Sequence, residues 1–174
     1  MEAFDPIPQI YEAAPGSGDV CGSSFLNRIF AKYLKSKFRH YPMWNDQYQS
    51  DALHSFEIDL KRNFAGEPLS QTYLVPARGL PDNPDLSIRG GLLEITGKEI
   101  SDVFEPVVRE IVKLVKAQLE ATRKTVTTVL LAGGFGRNNY LRTRLQEAVG
   151  RGISVMKVNN GCVVETNIHP DGYS

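Results

Sequence analysis

Apolar residues at Phe25, Ile29, Tyr33 and Leu34 recur at the three- and four-residue spacing of one helical face, predicting a helix that Ser23 or Ser24 caps and that runs to about Phe38. The same spacing at Leu53, Phe56, Leu60 and Phe64 predicts a second helix over Asp46 to Phe64, ended by Gly66 and Pro68. The longest periodic run is Ile100, Val103, Phe104, Val107, Val108, Ile111, Leu114, Val115 and Leu119. Thr96-Gly97-Lys98-Glu99 precedes it in the form of a capping box, so a long amphipathic helix is expected to about Thr122. Pro106 lies inside that run and has no amide hydrogen to give, which predicts a kink or a broken first segment.

The period changes between and after these helices. Thr72 to Val75 and Gly91 to Ile95 are short β-prone pieces among Pro- and Gly-rich turns, suited to a small meander with a variable loop near Pro81 to Pro84. Val126 to Ala132 is a continuous apolar and β-branched run, as expected of a strand buried on both faces, and Gly133-Gly134 stops it. Leu141, Leu145 and Val149 then mark a helix, and Ile153 to Val158 a strand. At the start of the chain Ile7 to Ala14 reads as an extended strand before the turn-rich Pro15 to Asp19, while Asn159 to Ser174 has loop composition. Helix, strand, glycine turn, helix and strand in succession make an α/β pattern.

Composition narrows the classes without choosing one. Of 174 residues, 41% are apolar and 23% charged, ordinary for a globular chain. Twenty basic residues balance twenty acidic ones, leaving no bulk field to draw in nucleic acid or an anionic membrane. Cys21 and Cys162 lie far apart, which encodes neither a disulfide framework nor a zinc site and fits a reducing compartment. His40, His54 and His169 are isolated, so no metal site is expected. The amino-terminal sequence carries an acid where a secretion signal has positive charge, and no apolar run reaches the roughly 20 residues of a membrane span, so a cytoplasmic or nuclear location is expected.

Candidate chemistry centres on Leu130 to Leu141, a buried strand feeding a glycine-rich turn that opens a helix. Open α/β sheets bind ligands beyond the carboxyl ends of their strands, and glycines there let a flat or anionic group approach the backbone. A purely structural turn has the same appearance. Phe135 reads either as an adenine platform or as a cap on the core beneath it. Glu57 and Lys61, four residues apart, read either as a surface pair or as part of a site, and Arg62 offers a planar guanidinium that can stack on a base. Arg28, Lys32, Lys35 and Lys37 make a basic helix flank, read as a solvated face. Trp44 reads as a loop anchor.

Four segments resemble the 70-kilodalton heat-shock chaperone family and its divergent cytoplasmic relatives in fungi. Leu130 to Leu141 is similar to the family's adenosine motif of strand, Gly-Gly and helix. Cys21-Gly22-Ser23-Ser24-Phe25-Leu26-Asn27-Arg28 resembles its Gly-Gly-x-x-Phe-Asp-Asn-Arg loop, with Cys21 in place of the first Gly and Leu26 in place of Asp. Lys61 and Arg62 resemble its adenosine-contacting Glu-x-x-Lys-Arg, although Glu57 stands one residue too far from Lys61. Phe104-Glu105-Pro106-Val107-Val108 resembles the start of the long helix before the adenosine strand.

The resemblance spans about Ile7 to Val158 and implies a partial actin-like (ribonuclease H-like) α/β ATPase lobe with a smaller α+β subdomain. By that likeness residues 1–40 and 96–174 form a sheet-plus-helix subdomain, and 41–95 the smaller helix-and-meander one. It implies ATP or ADP as ligand, with Gly22 and Ser23 on the phosphate side, Gly133, Gly134, Phe135 and Arg137 on the adenosine side, and Lys61 and Arg62 from the facing helix. Hydrolysis in that fold uses Asp-x-Gly-type hairpins that hold magnesium and water. Neither is found in this sequence, so no catalytic residue is expected, and magnesium would enter only with the missing loops. Apolar surface left for the missing lobe or another protein is expected, and a non-catalytic interaction module that keeps the fold is the alternative.

Overall fold

The structure is a computed structural model that describes residues 23–158, without the side chain of Ser23. The strand expected over Ile7 to Ala14, the loop at Cys21 and Gly22, and the stretch from Asn159 lie outside the described residues.

Helix α1 (Ser23–Lys37) buries Leu26, Phe30 and Leu34 on one face, with Phe38 just beyond its end. The Phe38 ring stacks on Trp44, centroids 3.8 Å apart and planes 5° from parallel, which anchors the connecting loop as the sequence suggests. Asn45 then caps α2 (Asp46–Ser55) by accepting the Gln47 and Tyr48 amides. The helix continues without a break through a π-helical turn (Phe56–Leu60) into α3 (Lys61–Asn63). Its signature is the Lys61 amide, which reaches back five residues to the Phe56 carbonyl. Phe56 and Leu60 stay buried across this turn while Ile58 is left 50% exposed, and Phe56 stacks on Phe30 at 4.2 Å.

Three strands follow: β1 (Thr72–Pro76), β2 (Ile88–Arg89) and β3 (Leu92–Thr96), antiparallel in the order β1-β3-β2. Thr72 pairs with Thr96 and Pro76 with Leu92. This order corrects the sequential meander, because the connection after β1 carries the chain past β3's position before β2 and β3 form their own hairpin. That hairpin has the two-residue loop Gly90-Gly91, both with positive φ (56° and 73°), the backbone that type I′ turns require. A 3₁₀ turn (Pro84–Leu86), whose last amide Asn83 accepts, fills the loop before β2.

Helix α4 (Gly97–Ala121) begins on the expected capping box: Thr96 Oγ1 accepts the Glu99 amide and Glu99 Oε2 accepts the Thr96 amide at 2.9 Å. It runs unbroken past Pro106, against the expectation of a broken first segment. Pro106 and Asp102, whose carbonyl loses its helical donor, both face solvent, where water can serve that carbonyl, and Val103, Phe104, Val107 and Val108 keep the inner face buried on either side.

Strand β4 (Thr128–Leu131), the short helix α5 (Gly133–Gly136), α6 (Asn139–Val149) and β5 (Ser154–Lys157) complete the described chain. β4 and β5 are parallel, Thr128 opposite Ser154 and Leu131 opposite Lys157, with α6 as their crossover. The expectation that β4 is buried on both faces does not hold: Leu131 is buried but Leu130 is 54% exposed. Among the described residues this sheet has only two strands, and no layer covers its second face.

Helix α6 packs against α4 through Glu105, whose carboxylate accepts from Nη1 and Nη2 of Arg144 and from the Tyr140 hydroxyl, the last at 2.9 Å. Phe64, Phe104, Phe135 and Tyr140 meet in one aromatic cluster with centroid separations of 4.9–6.1 Å, and Tyr73 of β1 joins it through Phe64. The result is a mixed α/β fold. No helix among the described residues is long and apolar enough to cross a membrane.

Candidate functional site

Each glycine of the turn after β4 has a different cause. Gly133 has φ +82°, a conformation that strains any residue with a Cβ. Gly136 is required by proximity, since a Cβ there would lie 3.0 Å from the Leu131 carbonyl carbon. Gly134 has neither constraint: its φ is not positive, and a Cβ there would meet nothing within 4 Å. Gly133 and Gly134 are both exposed, so the turn presents an open, side-chain-free face at the carboxyl end of a parallel strand. Phe135 turns its ring into the core, 5.9 Å from Phe104, in keeping with its reading as a core cap. Arg137 is exposed.

The next residue, Asn138, is 2% exposed, and both its side-chain oxygen and its side-chain nitrogen are hydrogen-bonded. Its oxygen accepts the Leu141 amide at 2.9 Å and so caps α6, while its nitrogen donates to the carbonyls of Lys61 at 3.0 Å and Phe64 at 3.1 Å. The turn is thereby tied to the end of α3. Lys61 in turn is 7% exposed, and its ammonium donates to Asn27 Oδ1 at 2.9 Å and to Glu57 Oε1 at 3.2 Å. The Lys61 hydrogen bond and charge hold the Glu57 carboxyl below the usual range. Arg62 is exposed beside it.

Glu57 stands four residues before Lys61, the spacing at which side chains share a helical face, and the pair forms across the π-helical turn. Asn27 belongs to the segment Cys21 to Arg28, so a chain of side-chain hydrogen bonds runs from that segment to Lys61 and from the Lys61 backbone to the glycine turn. Gly22 lies outside the described residues. Ser23 opens α1, with its side chain outside them.

Asn138 is the functional-site residue that the sequence reading passes over. Its signal was present, because an Asn directly before an apolar-periodic helix is a capping signature. No side chain at the turn is arranged as a nucleophile with a base, and among the described residues no three His, Cys, Asp or Glu side chains group as a metal site. The geometry suits recognition: an open backbone face, the exposed Arg62 and Arg137 adjacent in sequence to the bridged residues Lys61 and Asn138, and a buried lysine locked to neighbouring elements. No model of a known protein family matches the chain, and no curated protein matches it.

Proposed function

We propose that the chain is the adenine-nucleotide-binding part of a chaperone-like, actin-fold ATPase lobe, with the nucleotide lying on the open face of Gly133-Gly134 between Arg62 and Arg137. The observation that carries this reading is the hydrogen-bonded chain from Asn27 through Lys61 to Asn138, which joins three of the four segments singled out by their resemblance to that family. Gly134 adds to it, since neither backbone strain nor close packing accounts for its missing side chain. Binding is the function proposed for these residues. Hydrolysis and magnesium belong to phosphate hairpins that this sequence does not contain.

Titration calorimetry with ADP and with ATP tests the reading directly. The protein is expected to bind one or both, and Gly134→Val to weaken binding at least tenfold while leaving the melting temperature nearly unchanged, because its Cβ projects into open space. Absence of binding by the wild-type protein, or unchanged affinity in a folded Gly134→Val, rejects the assignment. The exposed Leu130 supports a second reading, a non-catalytic interaction module. Hydrogen exchange separates the two, since nucleotide-dependent protection of residues 133–137 excludes a module without nucleotide.

A further inference from the structure

We propose that Lys157 and Arg142 form an anion-binding subsite at the carboxyl end of the parallel sheet, which takes a phosphate dianion, free or carried on a small molecule. It uses none of the residues assigned to the nucleotide above and does not depend on that reading.

Lys157 closes β5 and pairs with Leu131, the last residue of β4, so its backbone lies where both parallel strands end. Ligands of open α/β sheets bind beyond that end. The Lys157 ammonium donates to Oδ1 of Asn139, the first residue of α6. Arg142 follows Asn139 by three residues, the spacing that puts two side chains on one face of a helix. A cation from the strand and a cation from the helix therefore converge. Burial first, and the Arg142 charge second, hold the Lys157 ammonium below the usual lysine range.

No acid of the described chain offsets this pair. Five of its Lys and Arg residues are not exposed: Lys37, Lys61, Arg142, Arg144 and Lys157. Three of them have a carboxylate partner, Lys37 in Glu99, Lys61 in Glu57 and Arg144 in Glu105. Among the described residues Lys157 and Arg142 have none within 4.0 Å, and the first turn of α6 carries no acid. Asn139 gives Lys157 a neutral oxygen, which satisfies a hydrogen bond without cancelling charge. Two partly buried like charges held together in this way are matched by a ligand with two negative charges. Phosphate supplies about that charge near neutral pH, with oxygens for both donors. Arg142 also lines an open cleft of about 530 Å³ with Thr143, Gln146, Glu147 and Arg151, which has room for the body of a phosphate ester. Glu147 on its wall disfavours a second anionic group there.

Calorimetric titration of the full chain in low-salt buffer with inorganic phosphate, glycerol 3-phosphate and acetate tests the subsite. Both phosphates are expected to bind and acetate is not. Tighter binding of the ester identifies a phosphorylated small molecule as the ligand, and equal binding identifies free phosphate. Lys157→Gln keeps a donor for Asn139 and removes the charge. It and Arg142→Gln are each expected to weaken phosphate binding roughly tenfold. Lys116→Gln, at an exposed position of α4, is expected to change nothing. A wild-type protein that binds neither phosphate at about 10 mM overturns the proposal, as does an equal loss in all three variants, which marks general charge attraction. If Lys157→Gln does not fold, the comparison of Arg142→Gln with Lys116→Gln decides in the same way.

Discussion

Glu99 Oε1 accepts a hydrogen bond from Lys37 Nζ at 2.9 Å, joining the head of α4 to the end of α1, and the Tyr33 hydroxyl reaches the same oxygen at 2.7 Å. Its other oxygen takes the Thr96 amide and hydroxyl. Burial opposes the Glu99 charge, but the bonds from Lys37, Thr96 and Tyr33 outweigh it and bring its pKa down to about 2 from the ordinary 4.5. Burial and the facing Glu99 carboxylate push the Tyr33 hydroxyl well above its usual range. A carboxylate with a depressed folded-state pKa stabilises the protein fully above its unfolded value, and that contribution disappears as pH falls through the folded value. Urea midpoints of the wild type are therefore expected to fall between pH 4.5 and about 2 more steeply than those of Glu99→Gln. At neutral pH the substitution is expected to cost about 1–3 kcal/mol. Parallel pH profiles for the two proteins would refute the assignment.

Gly66 and Gly90 both have positive φ, yet they predict different costs. A Cβ at Gly66 would lie 2.4 Å from Tyr140 Cδ2, and the ring cannot swing aside because Glu105 and Arg144 hold its hydroxyl. Gly66→Ala is expected to destabilise by about 2–4 kcal/mol, combining backbone strain with overpacking. At Gly90 a Cβ meets nothing within 4 Å, so Gly90→Ala is expected to cost only about 1 kcal/mol. Equal losses in chemical denaturation would show that the Tyr140 ring gives way.

Leu130 and Leu131 test the open face of the parallel sheet. Leu131 is buried, and Leu131→Ser is expected to cost about 2–4 kcal/mol. Leu130 is half exposed, and Leu130→Ser is expected to cost less than about 0.5 kcal/mol. Similar unfolding free energies for both variants would refute the open face.

Helices were legible because their buried faces recur every three or four residues, as Ile100, Val103, Phe104, Val107 and Val108 do in the longest; in the first, the face read at Phe25, Ile29, Tyr33 and Leu34 is one residue off, since Leu26, Phe30, Leu34 and Phe38 are the buried set and Phe25, Ile29 and Tyr33 are only partly buried at its border. Strand β2 escaped the reading because a two-residue strand carries no period, although Gly90-Gly91 between apolar residues is a hairpin signal. The exposure of Leu130 was hidden for another reason. An apolar run states what a strand could bury, while the number of neighbouring strands decides what it does bury. Of the candidate site, the glycine turn and Lys61-Arg62 stood out locally. Their juxtaposition did not, since it depends on hydrogen bonds between residues 34 and 77 positions apart.

The π-helical turn implies a tolerance to insertion and deletion at one point in an otherwise packed helix. Phe56 and Leu60 hold the core on either side of a solvent-facing Ile58, so the extra residue is lodged where its removal uncovers nothing. Deleting Ile58 is expected to restore regular i→i+4 pairing, with an unchanged far-UV circular dichroism spectrum and a melting temperature within a few degrees of wild type. A collapse of the fold would show that the turn is structurally required. The consequence concerns how helices are compared: a chain without the extra residue can keep the same buried face on either side of this point, because the helix absorbs the difference in its winding.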